Sequence, residues 1–532
     1  MLPWLRIASV LLLSLPLSTS AAVITRGTSP VTLALTKHYN LTETSKIIEL
    51  DQARAKGLIE RAKTSASDSQ LAGTSNVPSV SQGVFYSTTV GIGNPPKNYE
   101  LIIDTGSSNT WVGAQTLTKP FVPTTSRFDR SFVLIRYGSG QFIGLEFTDT
   151  VHIGGLSISN QGFAAAAIAI GFQGIDGILG IGPVGLTCGS LIPDRSKCVP
   201  TVTDNASKEG LIDASVVGIS FVPTTNPGDS NGELTFGGTD PSKVNGSITY
   251  VPITTTTPAG YYVGIDQTIS YGNTVILLNG AGITDTGTTL ILLATDAFNQ
   301  YKNLTGAVMD KDTGLLRVTP QQFGNLRSLL FTIGGTPFEL IPNAQAWPRR
   351  FNSLIGGSPN YVYLIVGNLG NVAGGSIAFI NGMSFLERFY HVYDAGNNLA
   401  GFARTNYTYA LKLKRSAAPS PCSFDRVLPK ANTNTNAKTK LEAVQWCFAY
   451  AALDGERTRG LVESVEGRLA LEEVDPRLRL GQWMQMGGWS EHTRAVLNAL
   501  EGDTEYELEE YTWSTGTSED ERPAKRIRRD SE

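Results

Sequence analysis

The chain carries one short design twice. Ile102-Ile103-Asp104-Thr105-Gly106-Ser107-Ser108-Asn109-Thr110-Trp111 is answered by Gly282-Ile283-Thr284-Asp285-Thr286-Gly287-Thr288-Thr289-Leu290. An apolar run that ends in Gly and hydroxyl residues reads as a buried strand leaving the core through a turn. Each copy therefore puts a carboxylate where a strand exits. If the two loops face each other, Asp104 and Asp285 meet, and like-charge repulsion raises one pKa so that the pair holds a single proton. One site would then contain an acid and a base.

A chain of 532 residues exceeds one compact core and divides into two or more domains. Its 56 Gly and 26 Pro, with runs of Thr, Val, Ile and Ser, favour strands and turns over helices. A net charge of -4 gives no general drive toward nucleic acid or an anionic membrane.

The order of segments suggests a secreted precursor. Residues 1–21 have Arg6, the apolar run Ala8 to Leu17 and a small-residue end, the layout of a cleaved signal peptide. Pro16, Ser18 and Ser20 break the run well before the roughly 20 apolar residues that a membrane anchor needs. Residues 22–71 hold seven Lys+Arg against five Asp+Glu, with a charged, helix-favouring stretch from Glu49 to Lys63. A small basic segment ahead of an acidic domain reads as a propeptide lying over a carboxylate cleft, with an ordinary linker as the alternative. In an oxidising compartment Cys188 and Cys198 can close a short loop.

From Ser81 the pattern is strand-like, and Gly83-Val-Phe-Tyr-Ser-Thr-Thr-Val-Gly-Ile is partly echoed by Gly260-Tyr-Tyr-Val-Gly-Ile-Asp-Gln-Thr-Ile ahead of the second Asp-Thr-Gly. Two lobes on one plan account for both echoes, with boundaries at 72–250 and 251–409. Between the Asp loops, apolar residues flank Tyr137-Gly138-Ser139-Gly140, which reads as a hairpin with a small tip. Its tyrosine either closes over a bound chain or packs on its own lobe.

Residues 410–532 break this style, with 39 charges in 123 residues against 38 charges in residues 72–409. The tail includes Cys422, Cys447 and the basic end Lys525 to Arg529. Behind a secretion signal it reads as a disordered or gene-model extension rather than a nuclear module.

Residues 23 to about 409 resemble single-chain pepsin-like aspartic endopeptidases. The resemblance rests on two Asp-Thr-Gly-Ser/Thr loops, the Tyr-Gly-Ser-Gly hairpin between them, Asp176-Gly177-Ile178-Leu179-Gly180 after it, and Phe385-Leu-Glu-Arg-Phe-Tyr390 near the end. It implies an all-β bilobal fold, two β-barrel-like lobes around a central cleft. It also implies Asp104 and Asp285 as catalytic pair, supported by Thr105, Gly106, Ser107, Thr286, Gly287 and Thr288. Ser107 and Thr288 would donate to the carboxylates, and Thr105 and Thr286 would cross-link the loops. Tyr137, with Gly138 and Ser139, would form a flap hydrogen-bonded to Trp111, while Ile102 and Ile178 would line an apolar substrate pocket. The departures are Ile380-Asn381-Gly382 followed by Met383 where an acid is usual, and the absence of the family's usual disulfides.

The expected activity is a secreted, monomeric, acid-active endopeptidase, extracellular rather than vacuolar, that cuts proteins beside large apolar residues. Its own propeptide would inhibit it. It would use no metal or other cofactor, contact no nucleic acid and carry no membrane anchor. Asn205, Asn245, Asn303 and Asn406, with Asn40 in the propeptide, fit the N-glycosylation pattern. The alternative is an inactive pepsin-like fold that binds proteins or inhibits an enzyme. A serine hydrolase lacks its Gly-x-Ser-x-Gly elbow, and a zinc protease its His-Glu-x-x-His.

Overall fold

The structure, a computed structural model, describes residues 29–41, 46–66, 83–116, 118–137, 140–172, 174–223, 230–370 and 377–411, with side chains omitted at 63–66, 136, 137 and 140. All of these fall in one unit, Met1–Lys412; a second unit, Leu413–Glu532, contains no described residue. The signal segment, Gly138, Ser139, the Tyr137 side chain, Cys422 and Cys447 lie outside the described residues.

Strands dominate, as the turn-rich composition predicts. β1 (Val31–Tyr39) turns Leu33, Leu35 and Lys37 inward at the two-residue period of a strand. It pairs antiparallel with Gly232–Phe236 on one side and with β2 (Val84–Ile92) on the other. This strand of the basic N-terminal segment thus completes a 14-stranded sheet, while the second half contributes a 7-stranded sheet and a 3-stranded one.

The two halves repeat one plan. β3 (Lys97–Asp104) pairs in parallel with Gly177–Gly180, setting Asp104 beside Gly180. β4 (Thr274–Thr284) pairs in parallel with Phe379–Asn381, setting Thr284 beside Asn381. Between these halves runs α1 (Ile47–Ala66). Its inward stripe is Ile47, Ile48, Asp51, Arg54, Ala55, Leu58 and Ala62, a helical spacing in which two charged residues share the apolar face.

One large apolar core runs through both halves. A smaller one, holding Ile102, Trp111, Ile178 and Phe142, lies under the hairpin formed by Arg127–Tyr137 and Gly140–Ile153.

Candidate active site

Strand geometry delivers each carboxylate and its own loop holds it. Asp104 Oδ1 accepts from Gly106 N at 2.9 Å, and Oδ2 accepts from Ser107 Oγ at 2.5 Å. Asp285 repeats this with Gly287 N at 3.0 Å and Thr288 Oγ1 at 2.5 Å. The loops are tied across the middle, where Thr105 N donates to Thr286 Oγ1 and Thr286 N to Thr105 Oγ1, both at 3.0 Å. Thr286 Oγ1 also donates to Ile103 O at 2.9 Å. Buried polar groups need partners, and these threonines supply one another's. Glycine is required where backbones touch: a Cβ on Gly182 would sit 2.4 Å from Thr105 O, and one on Gly382 would sit 2.5 Å from Thr288 O.

Both carboxylates are completely buried. Arg54 lies between them, donating from Nε to Asp285 Oδ2 at 2.7 Å, and from Nη2 to Asp285 Oδ1 at 2.8 Å and Asp104 Oδ1 at 2.5 Å. One nitrogen thus reaches both acids, which shows how closely the loops approach. Burial alone would raise the Asp285 carboxyl, but the Arg54 guanidinium, the Thr288 hydroxyl and the Gly287 N–H outweigh it and hold Asp285 below the ordinary value. Burial would likewise strip the proton from Arg54, and the two carboxylates reverse this and hold it tighter than usual.

The rest of α1 is docked with similar care. Asp51 accepts from Thr289 N at 3.1 Å and Leu290 N at 2.8 Å, directly beyond the second Asp loop. Gln52 Nε2 donates to Asn368 O at 2.8 Å, and the Tyr262 hydroxyl donates to Leu58 O at 2.7 Å. Arg61 donates to Leu186 O. Upstream, Lys37 of β1 forms a buried ion pair with Glu387. The helix therefore grips both halves of the site.

The residues singled out from the sequence fall as follows. Asp104, Asp285, Thr105, Gly106, Ser107, Thr286, Gly287 and Thr288 come together in one constellation. Ile102, Trp111 and Ile178 are fully buried side by side, with Trp111 stacked on Phe142 at 4.4 Å between ring centroids. Tyr137 closes the Arg127–Tyr137 strand opposite Gly140. Cys188 and Cys198 form the expected disulfide, with Cα atoms 4.2 Å apart. Asn245, Asn303 and Asn406 are exposed, while Asn205 is half-buried and donates from its side-chain nitrogen to Gln161 Oε1 at 2.9 Å. Met383, at the departure from the usual pattern, is buried and donates its N–H to Thr288 O at 2.7 Å, so the loop keeps its backing.

Sequence reasoning missed Arg54 and Asp51 as individuals, reading only a basic segment. Their signal was position: each falls on the apolar stripe of α1, where an unpaired charge would be costly. It also missed a polar seam behind Asp285, where the first half has only Ile103. Thr284 Oγ1 lies 3.0 Å from His391 Nε2, and His391 Nδ1 lies 3.1 Å from Gly401 O. Beside it, Asn381 and Gln267 exchange amide hydrogen bonds at 3.0 and 3.3 Å.

Two carboxylates on facing strand ends, tied by reciprocal threonines, thus form one buried constellation. Residues 85–405 match the family model for eukaryotic aspartyl protease, and the chain belongs to that family as an aspartic-type endopeptidase. It is 55% identical to polyporopepsin of Irpex lacteus over 337 residues, covering 63% of this chain and 98% of that protein. It is 32% identical to cathepsin E of Cavia porcellus over 338 residues, covering 60% of this chain and 80% of that protein. Among solved structures, the crystal structure of aspartic proteinase from Irpex lacteus aligns with a TM-score of 0.60 and 54% identity, covering 62% of this chain and 96% of that one. No helix among the described residues is long and apolar enough to cross a membrane.

Proposed function

We propose that the chain is the precursor of a secreted, acid-active endopeptidase in which Asp104 and Asp285 are the catalytic pair and residues 22–71 are an inhibitory propeptide. The observation that carries the reading is Arg54, wedged between the two carboxylates from a helix upstream of the lobes. While it stays there, a substrate's scissile bond has no access to either acid.

The chemistry follows from the vacated pair. Without Arg54, two carboxylates so close share one proton. The ionised one takes a proton from a water held between them, and that water attacks the peptide carbonyl. The protonated one hydrogen-bonds the carbonyl oxygen and stabilises the tetrahedral intermediate. Ser107, Thr288 and the two glycine N–H groups hold the carboxylates in plane for this exchange. General acid–base catalysis supplies about 10² to 10⁴-fold, and positioning in the cleft supplies much of the rest.

The substrates are proteins and peptides with large apolar residues beside the cut, a preference that Ile102 and Ile178 would set. The lobes are 72–250 and 251–409, following the 1–21 signal peptide and preceding a tail at 410–532. The enzyme acts as a monomer outside the cell, with Asn245, Asn303 and Asn406 the more accessible glycosylation sites.

The test is hydrolysis of haemoglobin or casein by the acid-treated secreted protein. Pepstatin should block it and Asp104→Asn or Asp285→Asn should abolish it; full activity in either variant refutes the pair. The same assay decides against an inactive binding protein.

A further inference from the structure

Behind the two site loops the halves stop being alike. Asp104 follows Ile103, an apolar residue in the main core, whereas Asp285 follows Thr284, whose hydroxyl is buried against His391. His391 is fully enclosed on the strand Phe389–Asp394. Its strand neighbours are Ile219 and Phe402, and its ring stacks on Phe402 at 4.9 Å.

The hydrogen bonds settle the ring's tautomer. Gly401 O only accepts, so Nδ1 carries the hydrogen, and in the neutral ring Nε2 accepts from the Thr284 hydroxyl. Thr284 has a second acceptor in reach, Val263 O at 3.3 Å. Its backbone is committed too: Thr284 N donates to Val263 O at 3.0 Å, and Thr284 O accepts from Thr105 Oγ1 at 3.4 Å. The Thr284 side chain is thus the joint between the imidazole and the start of the Asp285 loop.

We propose that His391 is a positioning residue for Asp285: its neutral ring fixes the Thr284 hydroxyl, and protonating that ring reverses the hydrogen bond and places a positive charge behind the second carboxylate. The inference rests on Asp104 and Asp285 being the catalytic pair. Once Nε2 carries a proton it donates to Thr284 Oγ1, and the hydroxyl swings its own hydrogen to Val263 O. Every polar atom stays satisfied in both states, so the seam is bistable rather than broken. The ring stacks on Phe402 and meets the Thr284 hydroxyl and the Gly401 carbonyl, on a strand paired at Ile219. Among the described residues no Lys, Arg, Asp or Glu bonds to it, and Asp285 is the next ionisable residue along the Thr284 strand. Burial accordingly pushes the imidazole down to about 4, with the Gly401 carbonyl opposing in part, which puts its titration inside an acid protease's working range.

The test is kcat and KM against pH for the acid-activated full chain and five variants. Gln at 391 can reach Thr284 but cannot titrate, and Asn is too short to reach it. His391→Gln should keep kcat within about threefold at pH 5 and lose the fall in kcat near pH 4. His391→Asn and Thr284→Val should lower kcat at pH 5 by about fivefold or more with KM within about twofold, and Thr284→Ser should restore it. Thermal melts identify any variant that fails to fold, and Thr284→Val is nearly isosteric, so it carries the decision if the His391 variants unfold. Folded Thr284→Val with the wild-type kcat and pH profile overturns the inference, as does an unchanged acid limb in His391→Gln. Asp285→Asn is run alongside: if it is active, the catalytic-pair reading falls, whereas inactive Asp285→Asn beside an unaffected Thr284→Val sinks only the role of His391.

Discussion

Arg54 and Asp285 form a two-point ion pair out of contact with water, Nε to Oδ2 at 2.7 Å and Nη2 to Oδ1 at 2.8 Å, and the same Nη2 reaches across to Asp104. The fork of a guanidinium matches a carboxylate in two places, which a lysine ammonium cannot do. In the proposed precursor this pair keeps a substrate from both carboxylates.

Removing that fork should unlock the site at a pH where the wild-type precursor stays closed. Taking one partner from a buried ion pair leaves the other's charge uncompensated at about 3–5 kcal/mol. Arg54→Gln should therefore loosen the docking of α1 by about two to four orders of magnitude, and Arg54→Lys by less. The check is proteolysis by freshly purified full-length protein at the mildly acid pH where the wild-type precursor is still inactive, with N-terminal sequencing to show whether residues 22–71 remain.

Acidification should favour release through Asp285. Its pKa is depressed while Arg54 is docked, so the stability of the docked form is present above the ordinary carboxylate value and lost as pH falls through and below it. Asp51 works in the opposite direction, because burial, only partly offset by two backbone N–H bonds, pushes it up to about 7. Docking through Asp51 therefore strengthens as pH falls from about 7 toward the ordinary carboxylate range near 4. Asp51→Asn, which mimics the protonated acid, should sharpen the pH dependence of activation. The check is the rate of propeptide loss measured from pH 7 to pH 3; an unchanged slope counts against this assignment.

The Lys37–Glu387 pair should stabilise the precursor alone. Both side chains are more than nine-tenths buried, and burial, which would lower the Lys37 pKa, is outweighed by Glu387, which holds the proton on. Lys37→Met should cost about 3–5 kcal/mol in the precursor, because Glu387 is left buried without its cation. The processed enzyme should be unaffected, since β1 precedes the cut. Denaturant unfolding of both forms measures this, and equal destabilisation of the two would contradict it.

The reciprocal threonines should matter to geometry more than to affinity. Thr286→Val removes a hydroxyl that accepts from Thr105 N and donates to Ile103 O, leaving two buried backbone groups unsatisfied at about 1–3 kcal/mol each. We expect lower stability and a kcat reduced about tenfold or more with little change in KM, measured on a chromogenic peptide.

Much of this was legible in the chain. Asp104 and Asp285 stand at the ends of apolar runs in matching words, and the strand rule places both at exits from a core; the glycines and hydroxyls after them announce turns and donors. The helix at Ile47–Ala66 and the disulfide of Cys188 with Cys198 could also be read locally. The individual roles of Arg54, Asp51, Lys37 and His391 could not.

What the sequence by itself determined was the inventory: two carboxylates on equivalent turns, a basic segment ahead of an acidic domain, and strand-rich lobes built on one plan. These are local properties, carried by periodicity and neighbouring residue types. Only the tertiary structure decided which of the seven cations in residues 22–71 lies between the carboxylates, and that a histidine 107 positions beyond Thr284 meets its hydroxyl. Such partners are chosen by the packing of strands and a helix from distant parts of the chain. A buried charge or ring nitrogen must find its complement wherever the fold brings one within about 3 Å, and that reach through space leaves no mark in the order of residues.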